Sequence, residues 1–459
     1  MTSVLWLRRD LRVRDHPALH AAVADGGLVL PLVVLDPALL ATPPRPRDAA
    51  FLRAIAGLRA DLDGLIVRTG DPRTVLPAVC AEAGARVVHV SGETTPYGRR
   101  RDAAVRKALA DNDIDWVVTG TPYAVSPGLL RTQADEPFKV FTPFSRAWRD
   151  RGAPPPLPAP SGLRFRRLAC EDLPDLEGGP GDGRAPATED EASAHWDGFR
   201  EDALAAYDKD RDRPGIEGTS RLSTALKLGS IHPRTLLADI AALGAAAGSR
   251  GARRFVTELA WREFYADVLW HHPRSAWRDL RDGLARLAYD DPATDPRAAD
   301  RLEAWRQGRT GYPLVDAGMR QLRAEGWMHN RVRMVTASFL TKDLHLWWPH
   351  GARHFLDLLT DGDIPSNSHG WQWVAGTGTD AAPYFRVFNP VTQGLRFDPD
   401  GAYVRRFIPE LAHLSGAAAH EPWKADDGLA HGYPDRIVDH AAERAETLER
   451  YAAARKERS

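Results

Sequence analysis

The chain has only two cysteines in 459 residues, Cys80 and Cys170, and they stand far apart. That scarcity excludes a disulfide scaffold and a thiolate metal site, and it fits a reducing compartment. Long apolar runs are also missing. No segment approaches the roughly 20 apolar residues of a membrane span, and Met1-Thr2-Ser3 leads into a short apolar strand and then Arg8-Arg9-Asp10, not a secretory pattern. We expect a soluble, cytoplasmic protein with no membrane partner. Net charge is nearly absent, at -1 from 61 basic and 62 acidic residues, so the whole-chain balance carries no footprint of nucleic acid or membrane. A polyanionic partner must therefore meet a local patch. The segment 320–353 offers one, because Arg320, Arg323, Arg331, Arg333, Lys342 and Arg353 face only Glu325 and Asp343. No G-x-G-x-x-G follows the first strand, which argues against an ordinary nicotinamide site, and no internal repeat is detectable.

What is abundant is tryptophan: 14 residues, most of them beyond Trp196. The length suits two or three domains. Short apolar runs at Val4–Leu7, Leu28–Leu35, Leu65–Val67, Val87–Val90 and Trp116–Val118 alternate with helical stretches. This predicts an α/β domain over 1–125 with an open, parallel, Rossmann-like sheet, and any cofactor there belongs at the carboxyl ends of its strands. Ala153 to Pro160 and the Gly/Pro-rich acidic stretch from Gly178 to Glu191 predict a surface connector over 126–195. An all-α domain is expected over 196–459. There Met328, Val332, Val335 and Phe339 form one apolar stripe, His350-Gly351 and Asp361-Gly362 read as helix exits, and the alanine-rich end around Glu443 to Arg455 reads as a solvated helix or a frayed tail.

Three stretches carry chemistry. Asp361 to Trp373, D-G-D-I-P-S-N-S-H-G-W-Q-W, concentrates two carboxylates, an amide and two indoles, a set suited to holding something flat and polar. Glu217 to Ser223, E-G-T-S-R-L-S, places hydroxyls and backbone N–H groups at a helix start, where a phosphate is favoured. In Thr257 to Tyr265, Glu258, Trp261 and Arg262 fall at i, i+3 and i+4, so a carboxyl, an indole and a guanidinium share a face able to read, stack on and clamp a nucleotide.

Together with Val4 to Arg12, W-R-E-F-Y at Trp261, G-Y-P-L-V-D-A-G-M-R-Q-L at Gly311, G-W-M-H-N-R at Gly326, T-G-T-D-A-A-P-Y-F-R at Thr377 and His420-Glu421-Pro422-Trp423, these stretches resemble the photolyase/cryptochrome flavoprotein family. The resemblance covers essentially the whole chain and is strongest to bacterial class I cyclobutane pyrimidine dimer photolyases. It implies light-driven DNA repair by a carbon–carbon lyase: excited reduced FAD passes an electron to a flipped-out dimer and receives it back. Flavin contacts carried over by motif are Tyr207, Thr219, Ser220, Arg221, Leu222, Ser223, Trp327, Asn330, Arg333, Asp361, Asp363 and Asn367, with Phe255 where the family often has tryptophan. Asn367 would face flavin N5, and Arg333 would pair with Asp361 beside the ring. Glu258, Trp261, Asn330, Met334 and Trp373 would meet the dimer, with Arg211, Arg262, Arg331 and Arg386 on phosphates. Trp371 and Trp348 match the inner electron relay, and Tyr289 stands at its outer position. Thr95 to Asp102 lacks the Asn-Glu pair of folate-type members, so a deazaflavin is favoured as second chromophore. No metal and a monomeric state are expected. The alternatives are a cryptochrome-type photoreceptor and a (6-4) photolyase; the latter would show histidines in place of Asn330 and Met334.

Overall fold

The five apolar runs form the strands β1 (Thr2–Leu7), β2 (Leu28–Leu35), β3 (Ile66–Thr69), β4 (Ala85–Val90) and β5 (Asp115–Val118) in the computed structural model. All pair in parallel in the order β3-β2-β1-β4-β5. Alternate residues of β1 feed two cores: Leu5 and Leu7 pack with Val33 and Val67 on one face, and Val4 and Trp6 pack with Leu32 and Val88 on the other. This two-sided burial is why the strands read as unbroken apolar runs. The strand order reverses between β1 and β4, the point where open α/β sheets present a ligand crevice.

The structure describes residues 2–41, 44–174, 185–281, 284, 287–380 and 386–456, without the side chains of 455 and 456. The Gly/Pro-rich stretch at 178–184, Ala381–Phe385 of the T-G-T-D-A-A-P-Y-F-R motif and the Arg455 side chain lie outside the described residues. The chain divides into two compact units, Met1–Ala205 with Ser220–Pro273, and Ala206–Thr219 with Arg274–Ser459. This division departs from boundaries at 125 and 195. Residues 220–273 cluster with the sheet because the helix Arg250–His271 carries buried acids that grip the connector. Glu263 accepts from Ala124 N and Val125 N at 2.6 and 2.9 Å and from the Trp148 indole at 2.5 Å, and Asp267 accepts from Gly128 N at 2.7 Å.

In the second unit three helices, Pro296–Gln307, Pro313–Glu325 and Ile364–Ala375, have proline in the first turn and glycine at the exit. Pro296 and Pro313 open Pro296–Gln307 and Pro313–Glu325, and left-handed Gly308, Gly326 and Gly376 close the helices before them. The expected stripe is present, with Met328, Val332, Val335 and Phe339 all fully buried. Two expectations change. His350-Gly351 is no exit but lies in the first turn of Trp348–Leu358, where a Cβ on Gly351 would come 2.1 Å from the Trp371 ring. The glycine is there for close packing, not for a turn. The terminal helix His440–Lys456 is not simply solvated: Thr447, Tyr451 and Ala454 form a buried stripe, and Tyr451 bonds through its hydroxyl to the Ala375 carbonyl.

Candidate functional site

The helix Ile364–Ala375 contains most of the opening stretch of acids, amide and indoles. Asp363 precedes it, Pro365 lies in its first turn and Gly376, at φ 83°, ends it. At 3.6 residues per turn Asp363, Asn367 and Trp371 fall on one stripe, whereas Trp373 points about 200° round from Trp371. Trp371 is 2% exposed, edge-on to Phe355 at 5.0 Å and to Trp305 at 6.0 Å. Trp373 is only partly buried.

Asn367 is fixed in one sense. Its Nδ2 donates to the Ala352 carbonyl at 3.0 Å, so its Oδ1 is the atom left to accept a hydrogen bond. Arg333 meets Asp361 with two parallel bonds of 3.2 and 2.8 Å while its Nε donates to Met328 O at 2.7 Å. The Asp361 side chain is 3% exposed, so this is a buried, geometrically fixed pair. Asp363 accepts from Ser366 Oγ at 3.1 Å. His329, in the G-W-M-H-N-R motif, proves to be a helix cap: its Nδ1 accepts from Arg331 N at 3.2 Å, and burial holds the imidazole neutral by pulling its pKa down to about 3. Trp327 is half-buried, edge-on to that ring, and Asn330 reaches toward Met334 sulfur at 3.9 Å.

Two of the arginines expected on phosphates share a carboxylate. Arg331 pairs with Asp212 at 3.0 Å and covers the Phe397 ring, and Arg211 lies 3.7 Å from the same aspartate while covering Tyr207. Arg386 is exposed, and its carbonyl accepts from buried Lys342 at 2.8 Å.

Trp348 is fully buried. Its indole N–H donates to Asp279 Oδ1 at 2.8 Å, and that of neighbouring Trp347 donates to Asp279 Oδ2 at 3.3 Å. Tyr289 packs with Leu287, Tyr451 and Ala454. Its buried hydroxyl finds no hydrogen-bond partner among the described residues, and burial first, then the charges of Tyr451 and Asp279, push its pKa well up.

The first unit separates residues that the spacing had grouped. Glu258 pairs with Arg254 at 3.2 Å. Trp261 stacks face to face on Phe141 at 3.7 Å, so one of its faces is already covered. Arg262 is corrected: it donates to the Pro122 and Leu226 carbonyls at 3.1 and 2.9 Å and covers Tyr123, so it is committed to the fold and is not poised for a phosphate. Phe255 is 4% exposed and packs with Trp196 and Phe199, filling the core where the family often has tryptophan. In the hydroxyl run, Thr219 falls in the second unit and Ser220 in the first. Arg221 has φ 46°, Leu222 is 1% exposed and Ser223 opens the short helix Ser223–Leu228. Sequence reasoning missed Asp279, Asp212 and Phe141, which belong to none of the dense motifs.

The second unit thus presents a buried bidentate ion pair, an amide whose oxygen is left to accept, and a second carboxylate at the start of the same helix, donors and acceptors of the kind that a polar ring system takes. The family model described as the FAD binding domain of DNA photolyase matches residues 255–453, and the DNA photolyase model matches 3–161. A deoxyribodipyrimidine photo-lyase of Streptomyces griseus is 42% identical over 96% of this chain and 97% of its own length, and that of Escherichia coli is 38% identical over 99% of both. The crystal structure of a bacterial class III photolyase from Agrobacterium tumefaciens superimposes with a TM-score of 0.90 at 35% identity, covering 99% of this chain and 98% of that one. A likeness of this extent, over both the sheet and the helices, makes the chain a member of the DNA photolyase family.

Proposed function

We propose that the protein is a deoxyribodipyrimidine photo-lyase, repairing cyclobutane pyrimidine dimers in DNA under light. The observation that carries this reading is the helix Ile364–Ala375, which aligns the Asn367 acceptor with Trp371 on one stripe and turns Trp373 away. Bound FAD, fully reduced and excited by light, supplies the electron that opens the cyclobutane ring and takes it back. The chain's residues bind, orient and exclude water. Arg333 and Asp361 would hold the ring edge and Asp363 the sugar side, and Asn367, whose Nδ2 is taken by the Ala352 carbonyl, would offer Oδ1 to an N–H of the reduced ring. Tyr207, Trp327 and Asn330 of the second unit would line the same group, and the resemblance carries the hydroxyl run Thr219 to Ser223 over as contacts to its phosphates. In the second unit Trp373 and Met334 would meet the extruded dimer, whose lost pairing lowers the cost of flipping; in the first unit the resemblance assigns Glu258 and the uncovered face of Trp261 to dimer contact. Arg211, Arg331 and Arg386 meet the DNA backbone, giving affinity that falls with salt. Trp371 and Trp348 deliver electrons to an oxidised cofactor.

A neutral amide at 367 and Asn330 with Met334, where histidines would mark a (6-4) photolyase, support this over the photoreceptor and (6-4) readings. For the second chromophore we favour a deazaflavin at the β1/β4 reversal. There Arg8 and Arg101 both cover the Trp6 ring, at 4.5 and 4.8 Å, and buried Glu93 is occupied with Arg9, Arg101 and the Thr94 and Thr95 amides. Mass spectrometry of the extracted chromophores tests that assignment. The enzyme reading is tested with a thymine-dimer oligonucleotide beside a (6-4) substrate: the reduced protein should restore only the first, only in blue light, and an absence of light-dependent dimer loss would sink it.

A further inference from the structure

Asp279 is held from both sides by the helix that carries Trp371. Gln372 donates to Ser275 O at 2.7 Å and accepts from Leu280 N at 2.9 Å, and Ser368 donates to Ala276 O at 2.8 Å. Both Gln372 and Ser368 are fully buried. This grip, before and after Asp279, presents one carboxylate to two indole N–H groups, Trp348 at 2.8 Å and Trp347 at 3.3 Å. The two rings lie 6.4 Å apart between centroids, Trp348 buried and Trp347 half-buried. An indole that gives up an electron becomes a cation and an N–H acid, and a carboxylate already hydrogen-bonded to that N–H both stabilises the charge and can take the proton. Tyr289 has no acceptor among the described residues, and a phenol cannot be oxidised readily while it keeps its proton.

We infer that Asp279 is the charge partner and proton acceptor of the relay, and that the electron hole leaves through Trp347 instead of Tyr289. The inference rests on the proposed relay through Trp371 and Trp348. In balanced form, one electron leaves the Trp348 indole by way of Trp371 for the light-excited oxidised flavin, and Trp347 refills Trp348. The Nε1–H bond of Trp347 then breaks, its proton passing to Asp279 Oδ2, which leaves a neutral indole radical and a carboxylic acid. A thiol reductant later returns the electron, and Asp279 returns the proton.

Flash spectroscopy of the flavin-loaded protein tests this. In Asp279→Asn the tryptophan cation radical should outlive that of the wild type by about tenfold and the yield of reduced flavin should fall. Trp347→Phe should lose yield likewise, whereas Tyr289→Phe should match the wild type. A wild-type rate of indole proton loss in Asp279→Asn, or an equal loss of yield in Tyr289→Phe, overturns the proposal. Trp371→Phe separates the two layers, since intact photoreduction there refutes the relay reading itself. In the flavin-free protein, Asp279→Asn should move the indole N–H resonances of Trp347 and Trp348; resonances that stay in place also overturn the proposal.

Discussion

At the scale of single residues, the site divides into groups whose partners are fixed and groups whose partners were misassigned. Asp361 takes two bonds from Arg333 in a buried place. Removing the guanidinium leaves an unpaired buried carboxylate, so Arg333→Ala should lower stability by about 3 kcal/mol, read as a shift in the urea midpoint, and should empty the protein of flavin. The sequence made this pair legible through motif resemblance. It could not reveal Asp279, which sits in the plain run Ala276-Trp277-Arg278-Asp279, because that role comes from Gln372 and Ser368 gripping a segment about 90 positions away, and periodicity contains no such information. Arg262 was misread for a related reason. Spacing on a helix fixes which way a side chain leaves the backbone, not whether two carbonyls already await it.

At the scale of elements, glycine separates close packing from loose propensity. Two helices approach so tightly at Gly351 that a methyl group there would strike Trp371. Gly351→Ala should therefore cost about 1–3 kcal/mol by overpacking and should slow flavin photoreduction by displacing the inner indole. Gly198, inside Glu189–Asp202, has nothing within 4 Å of an added Cβ, so Gly198→Ala should stabilise by about 0.5–1 kcal/mol through helix propensity alone. Thermal denaturation of the two variants checks both signs. The strands were legible because parallel strands buried on two faces advertise themselves as apolar runs. The His350-Gly351 exit was not, because a glycine needed for a neighbour's ring looks the same in sequence as one needed for a turn.

At the scale of the whole molecule, buried titratable groups set the response to acid. Burial lowers the pKa of His232, His329 and His354 from 6.5 to about 4, 3 and 4, and raises that of Asp267 and Asp343 from 3.8 to about 6. Between pH 4 and 6 the unfolded chain therefore binds more protons on these histidines, so they withdraw stability as the pH falls, while the folded chain binds more on these aspartates, which oppose that loss. Urea titrations across the range measure the slope. Changing both Asp267→Asn and Asp343→Asn removes that opposing uptake and should make the loss of stability on acidification steeper.

The hydroxyl of Tyr451, bonded to the Ala375 carbonyl 76 positions earlier, adds a condition of timing. The helix bearing Asn367, Trp371 and Trp373 leaves the ribosome well before the residue that finishes its far end. At synthesis speeds of about 5–20 residues per second, that delay is roughly 4–15 seconds. For that interval the sheet of the first unit is already complete in sequence, while the far end of the helix bearing Asn367 and Trp371 still waits for its hydrogen-bonding partner.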